Sequence, residues 1–355
     1  MLRRLSLTAL LLCLCLPALA QGRALKSIWG PLTLPNGHSP GPIYRSLGLD
    51  VLQTGLLWSA VEPSRPANPR DPQDPAYHWD TDIDKAIAMG RKYHFTVALM
   101  VKDTPSWANG GQDGRYTPND PHDFENFVYA ASKRYPGVRR WMIWGEPSRR
   151  DNFQPLHVDD PTAPREYAKI LDAAYVGLHQ ASRHNIVIGG MTYTAGDIVP
   201  RDWVKWMRLP NGKPPRLDLY GHNPFSTRIP DLSQKPFGND GNYDFSDLDT
   251  LHSQVCRVYR KAYTRFRKHC PGIWISEFTI QADHGSDDFN FYVSSADQGN
   301  WIKAAFTQAN RTSYIKDVGW LGLLDEPVAP YNRTTGLLTY DLHKKPAYYA
   351  FKRAP

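Results

Sequence analysis

The sequence has few cysteines, a single long apolar run, no internal repeat and no linker-like stretch. Of its four cysteines, Cys13 and Cys15 lie in the apolar run near the N-terminus, which leaves only Cys256 and Cys270 beyond it. Without a linker or a repeat, the 355 residues read as one large domain. Basic residues are scattered, apart from Arg257 to Lys268, which reads as the solvated outer face of a helix, so there is no nucleic-acid patch. No metal set stands out, because His179 and His184 have no third ligand at useful spacing. No second long apolar segment follows the first, which argues against stable membrane insertion.

The N-terminal run does carry information. Arg3 and Arg4 precede Leu5 to Leu16, and Ala18-Leu19-Ala20 supplies small residues for cleavage before Gln21. Residues 1–20 therefore read as a signal peptide and 21–355 as the mature chain, secreted or periplasmic. A membrane anchor is the alternative, although the run is short for a span. Loss of Arg3 and Arg4 takes the formal charge from +7 to +5. Secretion would favour pairing Cys256 with Cys270. The local pattern predicts otherwise: one continuous helix over 248–266 would hold their Cα atoms roughly 20 Å apart.

Beyond the leader, short apolar runs alternate with segments of helical periodicity. Strands are expected at 28–30, 51–58, 95–101, 138–144, 186–190, 217–221, 273–276 and 318–324, with helices between them and a closing helix at 346–352. Eight such units predict a single (β/α)8 TIM barrel of the α/β class. Two of its strands end on a glutamate. Trp141-Met142-Ile143-Trp144 is an apolar run suited to a strand buried on both faces, and Glu146 follows it before Pro147. Ile273-Trp274-Ile275-Ser276 leads into Glu277, 131 residues further on. Three units of about 42 residues come to about 125, so the two glutamates fall on strands four and seven. In this fold all strands end on one face, where active sites lie. Two carboxylates converging there are the equipment for cleaving a glycosidic bond.

The sequence resembles glycoside hydrolase clan A, the retaining (β/α)8 glycosidases, nearest to family 39 or family 5 members. The resemblance rests on Glu146-Pro147, Glu277, Leu47-Gly48, Trp58 to Pro63, Thr104 to Trp107, His222, Thr335 to Leu338 and Lys345 to Tyr348. It implies Glu146 as acid/base and Glu277 as nucleophile, with a carbohydrate substrate and no cofactor. Three positions depart from the clan pattern. Gly145 replaces an asparagine that contacts the sugar 2-hydroxyl, Gln53 replaces an arginine on strand two, and Phe225 lies where a tyrosine would support the nucleophile. An aromatic usual at the end of strand eight is also missing, since Trp320 is placed early in that strand. The vacancy at Gly145 is expected to leave room for an unusual 2-position.

Trp29, Trp58 and Trp107 fall at or just after strand ends, where flat rings stack on sugars, and His222 and Asn223 follow strand six as further substrate contacts, with a hydrogen-bonded structural role the alternative for His222. The loop 226–243 is a candidate cleft wall. Glu326, also just past a strand end, is the rival to Glu146. Burial and the charge of Glu277 are expected to keep Glu146 protonated while Glu277 stays ionised. The reading is a secreted retaining glycosidase. A carbohydrate-binding barrel without catalysis and a transglycosidase are the alternatives.

Overall fold

The computed structural model describes residues 22–235, 238, 240–286, 290–326 and 332–355. The expected signal peptide lies outside the described residues. Eight parallel strands close into a barrel: β1 (Leu25–Trp29), β2 (Val51–Leu57), β3 (Thr96–Lys102), β4 (Arg140–Ile143), β5 (Ile186–Tyr193), β6 (Leu219–Asn223), β7 (Gly272–Phe278) and β8 (Ile315–Leu321). Each pairs with its sequence neighbours, and β8 closes on β1 through registers such as Ile28 with Trp320. The expected (β/α)8 barrel is the observed fold. A two-stranded pair, Gln281–Ala282 with Tyr292–Val293, lies between β7 and the next helix.

Besides a single turn at Trp58–Val61, the helices outside the barrel among the described residues are α1 (Gly41–Leu47), α2 (Thr81–Tyr93), α3 (Pro121–Arg134), α4 (Thr162–Ala181), α5 (Pro200–Trp206), α6 (Leu248–Ala262), α7 (Ser295–Arg311) and α8 (Pro346–Arg353). Local chemistry sets several of their ends. Asp80 and Asp120 cap α2 and α3 by accepting the N–H groups of Asp82 and His122. Gly48, at φ 65°, closes α1 in the left-handed region.

Burial separates into two layers. Outward-facing strand residues such as Trp141, Ile143, Ile273 and Ile275 pack against the helices, while Val51, Ala98, Met100, Met142, Ile188, Met191 and Trp274 fill the barrel interior. Strand alternation produces this division.

The region after α6 corrects the sequence reading. The helix stops at Ala262, Tyr263 turns extended at φ −132° and ψ 127°, and a short 3-10 turn follows at Thr264–Phe266. Tyr263 donates to the Pro214 carbonyl, and its ring groups with Tyr259 and Phe266. That packing draws the chain back, so Cys270 comes to a Cα separation of 5.2 Å from Cys256 and the two form a disulfide. The extrapolation of one straight helix was the error. Strand eight also lies three residues earlier than expected, which puts Trp320 near its end and not its start. The Trp320 ring is nonetheless buried among Phe278 and the outer core, donating to the Thr335 carbonyl, so it does not supply the missing mouth aromatic.

Candidate active site

Glu146 reaches the C-terminal mouth of the barrel through an irregular turn. After Ile143 ends β4, Trp144 at φ 67° and Glu146 at φ 45° both take left-handed conformations that cost side-chain-bearing residues energy. The Trp144 N–H bonds to Val101 O and its indole to Asn152 O, which hold the turn in place. Glu277 arrives by a different device. Strict alternation would put it on the outer face with Ile273 and Ile275. The β7–β8 register slips between the pairs Ile275–Val318 and Phe278–Trp320, a bulge that adds one residue on β7. Phe278 thereby takes the outward place against Trp301 and Trp320, and Glu277 is re-aimed.

Asn223, the last residue of β6, ties the two together. Its Nδ2 donates to Glu146 Oε1 at 2.9 Å, and its Oδ1 accepts the Glu277 backbone N–H at 3.1 Å. The other Glu146 oxygen accepts from Arg149 Nη1 at 3.0 Å and Asn152 Nδ2 at 3.4 Å. The Ser276 carbonyl beside the bulge accepts from both Gln53 Nε2 at 2.7 Å and Trp29 Nε1 at 3.1 Å, and Trp274 Nε1 donates to Gln53 Oε1. Glu146 is therefore held by three donors. Among the described residues the Glu277 carboxylate has no such hydrogen bond.

This asymmetry shows in the electrostatics. Burial, and then the charge of Glu146, push the Glu277 carboxyl up to about 8, against the opposing pull of Arg333, Arg149 and Lys102. At neutral pH the proton of the free protein rests on Glu277. The sequence reading had the raised carboxyl at Glu146, and the structure corrects it. Burial of Glu277 is the leading cause.

No family model and no curated protein matches the chain. Solved structures do. A family 39 glycoside hydrolase from Bacteroides cellulosilyticus superposes with a TM-score of 0.66 at 16% identity, covering 94% of this chain and 64% of that one. A family 39 enzyme from Xanthomonas axonopodis pv. citri gives 0.59 at 15% identity, covering 94% and 66%. A monomeric β-xylosidase from Caulobacter crescentus gives 0.57 at 15%, covering 93% and 67%. The chain has the fold of the family 39 glycoside hydrolases. It spans about two thirds of the length of these three neighbours.

Within the family 39 fold the departures can now be located. An ideal Cβ on Gly145 would lie 2.7 Å from Met100 Sδ, so the thioether occupies the volume expected to be vacant. Gln53 has become a clamp on the bulge. Phe225 is buried with its ring 5.5 Å from Tyr193, whose other neighbour is the Arg149 guanidinium at 5.1 Å.

The proposed sugar contacts divide. Trp58 is fully buried, donates to Glu62 Oε2 at 2.6 Å and packs on Trp107, Phe124 and Phe127, so it has no face to offer a ligand. His222 and Asn223 are fully buried too. His222 bonds to Thr192 Oγ1 and Tyr243 O, each at 2.8 Å, and burial holds it down at about 4, neutral. In this structure all three side chains are buried and support the site from beneath. Trp107 is half-buried, donating to Glu62 O, with Arg65 over its ring at 4.3 Å. Trp29 is half-buried as well and lines a cavity of about 500 Å³ with Leu323, Asp325, Arg333 and Tyr340. In that cavity Glu326 pairs with Arg333 at 2.9 Å with its side chain 47% exposed, whereas Glu146 is buried and lies close enough to Glu277 to raise its carboxyl. The 226–243 loop is tied by Arg228 to Asp244 and Asp247, and parts of it line a 220 Å³ cavity with Tyr193 and Phe225.

Sequence reasoning missed Arg149, Asn152, Met100 and Tyr193. Arg149 and Asn152 could have been found from their spacing in the loop after Glu146. Met100 and Tyr193 carry no such signal. One further cluster, His252 with Cys256 and Cys270, has metal-like spacing, but its sulfurs are consumed by the disulfide.

Proposed function

We propose that the protein is a secreted retaining glycosidase, with Glu146 as acid/base and Glu277 as nucleophile, acting on O-glycosidic bonds of a polysaccharide or oligosaccharide. The observation that carries this is Asn223 bridging the two glutamates from β4 and β7 at the barrel mouth. Double displacement needs one proton shared by two carboxylates. The pair holds one at neutral pH, on Glu277, and the reaction requires it on Glu146 when the leaving oxygen departs. Glu277 then attacks as the anion, and water releases the glycosyl-enzyme with Glu146 as base.

The test is a panel of glycans and aryl glycosides with the anomer of the first product read by NMR. Retention is expected. Glu277→Ala should abolish turnover, whereas Glu146→Ala should keep activity on activated aryl glycosides and lose roughly 10²-fold or more on unactivated ones. Equal losses on both substrate types, or an inverted product, would contradict the assignment. A barrel that binds glycans without cleaving them would show affinity with no turnover in the wild type.

A further inference from the structure

Arg149 poses a problem for the chemistry just described. It is a cation 3.0 Å from the carboxylate that must donate a proton, and it is reinforced there by Asn152 and Asn223. Charge-assisted bonds of this kind favour the ionised carboxylate. As long as the guanidinium stays, Glu146 Oε2 is occupied by donors. The side chain is not locked in place: it is 42% exposed, and one face lies on the Tyr193 ring.

We propose that Arg149 is a positioning and specificity residue that exchanges Glu146 for an anionic group, such as a carboxylate, on the leaving-group side of the substrate. This rests on the retaining-glycosidase reading above. Arg149 stands on the loop beside the acid, which is where a leaving group departs. A neutral hydroxyl does not replace a carboxylate partner, because the exchange trades a charge-assisted bond for an ordinary one. A substrate anion does replace it, and its planar geometry suits the guanidinium fork. As the guanidinium leaves, the proton on Glu277 moves to the Glu146 carboxylate. Glu277 gains the negative charge and is ready to attack, so binding the correct leaving group sets both protonation states at once. Among the described residues, the charged and titratable groups around the pair are Lys102 on β3, Arg149 and Asp151 after β4, Tyr193 on β5 and Arg333 after β8. Lys102 has Asp103 within 4.0 Å and Arg333 pairs with Glu326, whereas Arg149 bonds directly to the Glu146 carboxylate at 3.0 Å.

The experiment compares 4-carboxyphenyl glycosides with their methyl esters, on the sugar that the panel identifies. The ester is intrinsically the better leaving group, so chemistry alone favours it. The wild type is expected to prefer the carboxylate by roughly tenfold in kcat/KM, the scale of one charge-assisted bond. Arg149→Gln should reverse the preference, and Arg149→Lys should keep part of it. A loss of structural support alone would lower both substrates together and leave the ratio unchanged. Wild-type turnover with equal rates, or with the ester preferred, would overturn the proposal while leaving the glycosidase reading intact. If no glycoside is turned over, that reading fails, and a second measurement decides this one. The Arg149 guanidinium ¹⁵N resonance should move on titration with 4-hydroxybenzoate and not with its methyl ester, and an unmoved resonance rejects the exchange.

Discussion

Gly145 illustrates how a missing side chain can be misjudged. A Cβ there would stand 2.7 Å from the Met100 sulfur, so that flexible side chain would have to shift to admit one. Real Cβ atoms do not approach so closely, and Met100 is itself nearly buried in the barrel interior. Restoring the clan asparagine therefore overfills a packed site. Gly145→Asn is expected to cost about 1–3 kcal/mol in urea unfolding. Adding Met100→Ala should recover a good part of that loss by giving the amide room, and a double variant no better than the single one would show that backbone geometry at Gly145 is the obstacle. The glutamates were legible at this scale because each follows an apolar run, a pattern contained in a few consecutive residues. Their partners were not. Asn223 meets Glu146 across 77 residues of chain, and Gln53 meets Ser276 across 223.

The elements show the same division between local and distant causes. Asp80 and Asp120 mark helix starts in the sequence because a cap acts within two or three residues. The end of α6 had no comparable mark. Tyr263 leaves the helix to reach the Pro214 carbonyl, a contact with the segment before β6, and the disulfide follows from that turn. Cys256 and Cys270 are 14 residues apart, so closing this loop should stabilise the fold by about 3 kcal/mol through the entropy of the unfolded chain. The paired Cys256→Ser and Cys270→Ser variant should unfold at lower urea by that amount, and so should the wild type in reductant. An unchanged midpoint would mean that the α6 packing alone holds the turn. The β7 bulge was equally illegible, since it is defined by register with β8 and not by any residue of β7.

At the scale of the whole molecule, buried acids tie stability to pH. Burial pushes both Glu62 and Glu277 up to about 8, whereas in the unfolded chain such groups release their protons near 4 to 5. Between those values the folded state binds more protons than the unfolded, so stability falls as pH rises. His222 and His252, held down at about 4 by burial, act in the opposite sense only below about 6.5. The window from pH 6.5 to 8 therefore belongs to the acids. Tm should decline across it by several degrees, and Glu62→Gln with Glu277→Gln should flatten the slope. A slope unchanged in that double variant would place the titrating groups elsewhere. The closed barrel itself was readable from the sequence, because eight apolar strands alternating with amphipathic helices have few ways to bury both sets of faces. The same periodicity placed Glu146 and Glu277 at one mouth. What the sequence by itself determined is thus whatever short-range patterning controls: strand order, helix starts, and the two terminal carboxylates. Only the tertiary structure decided which carboxylate carries the proton, which tryptophans are core, and what fills the space beside Gly145. Those outcomes depend on desolvation and on hydrogen bonds between residues far apart in the chain, and both arise only when the barrel closes.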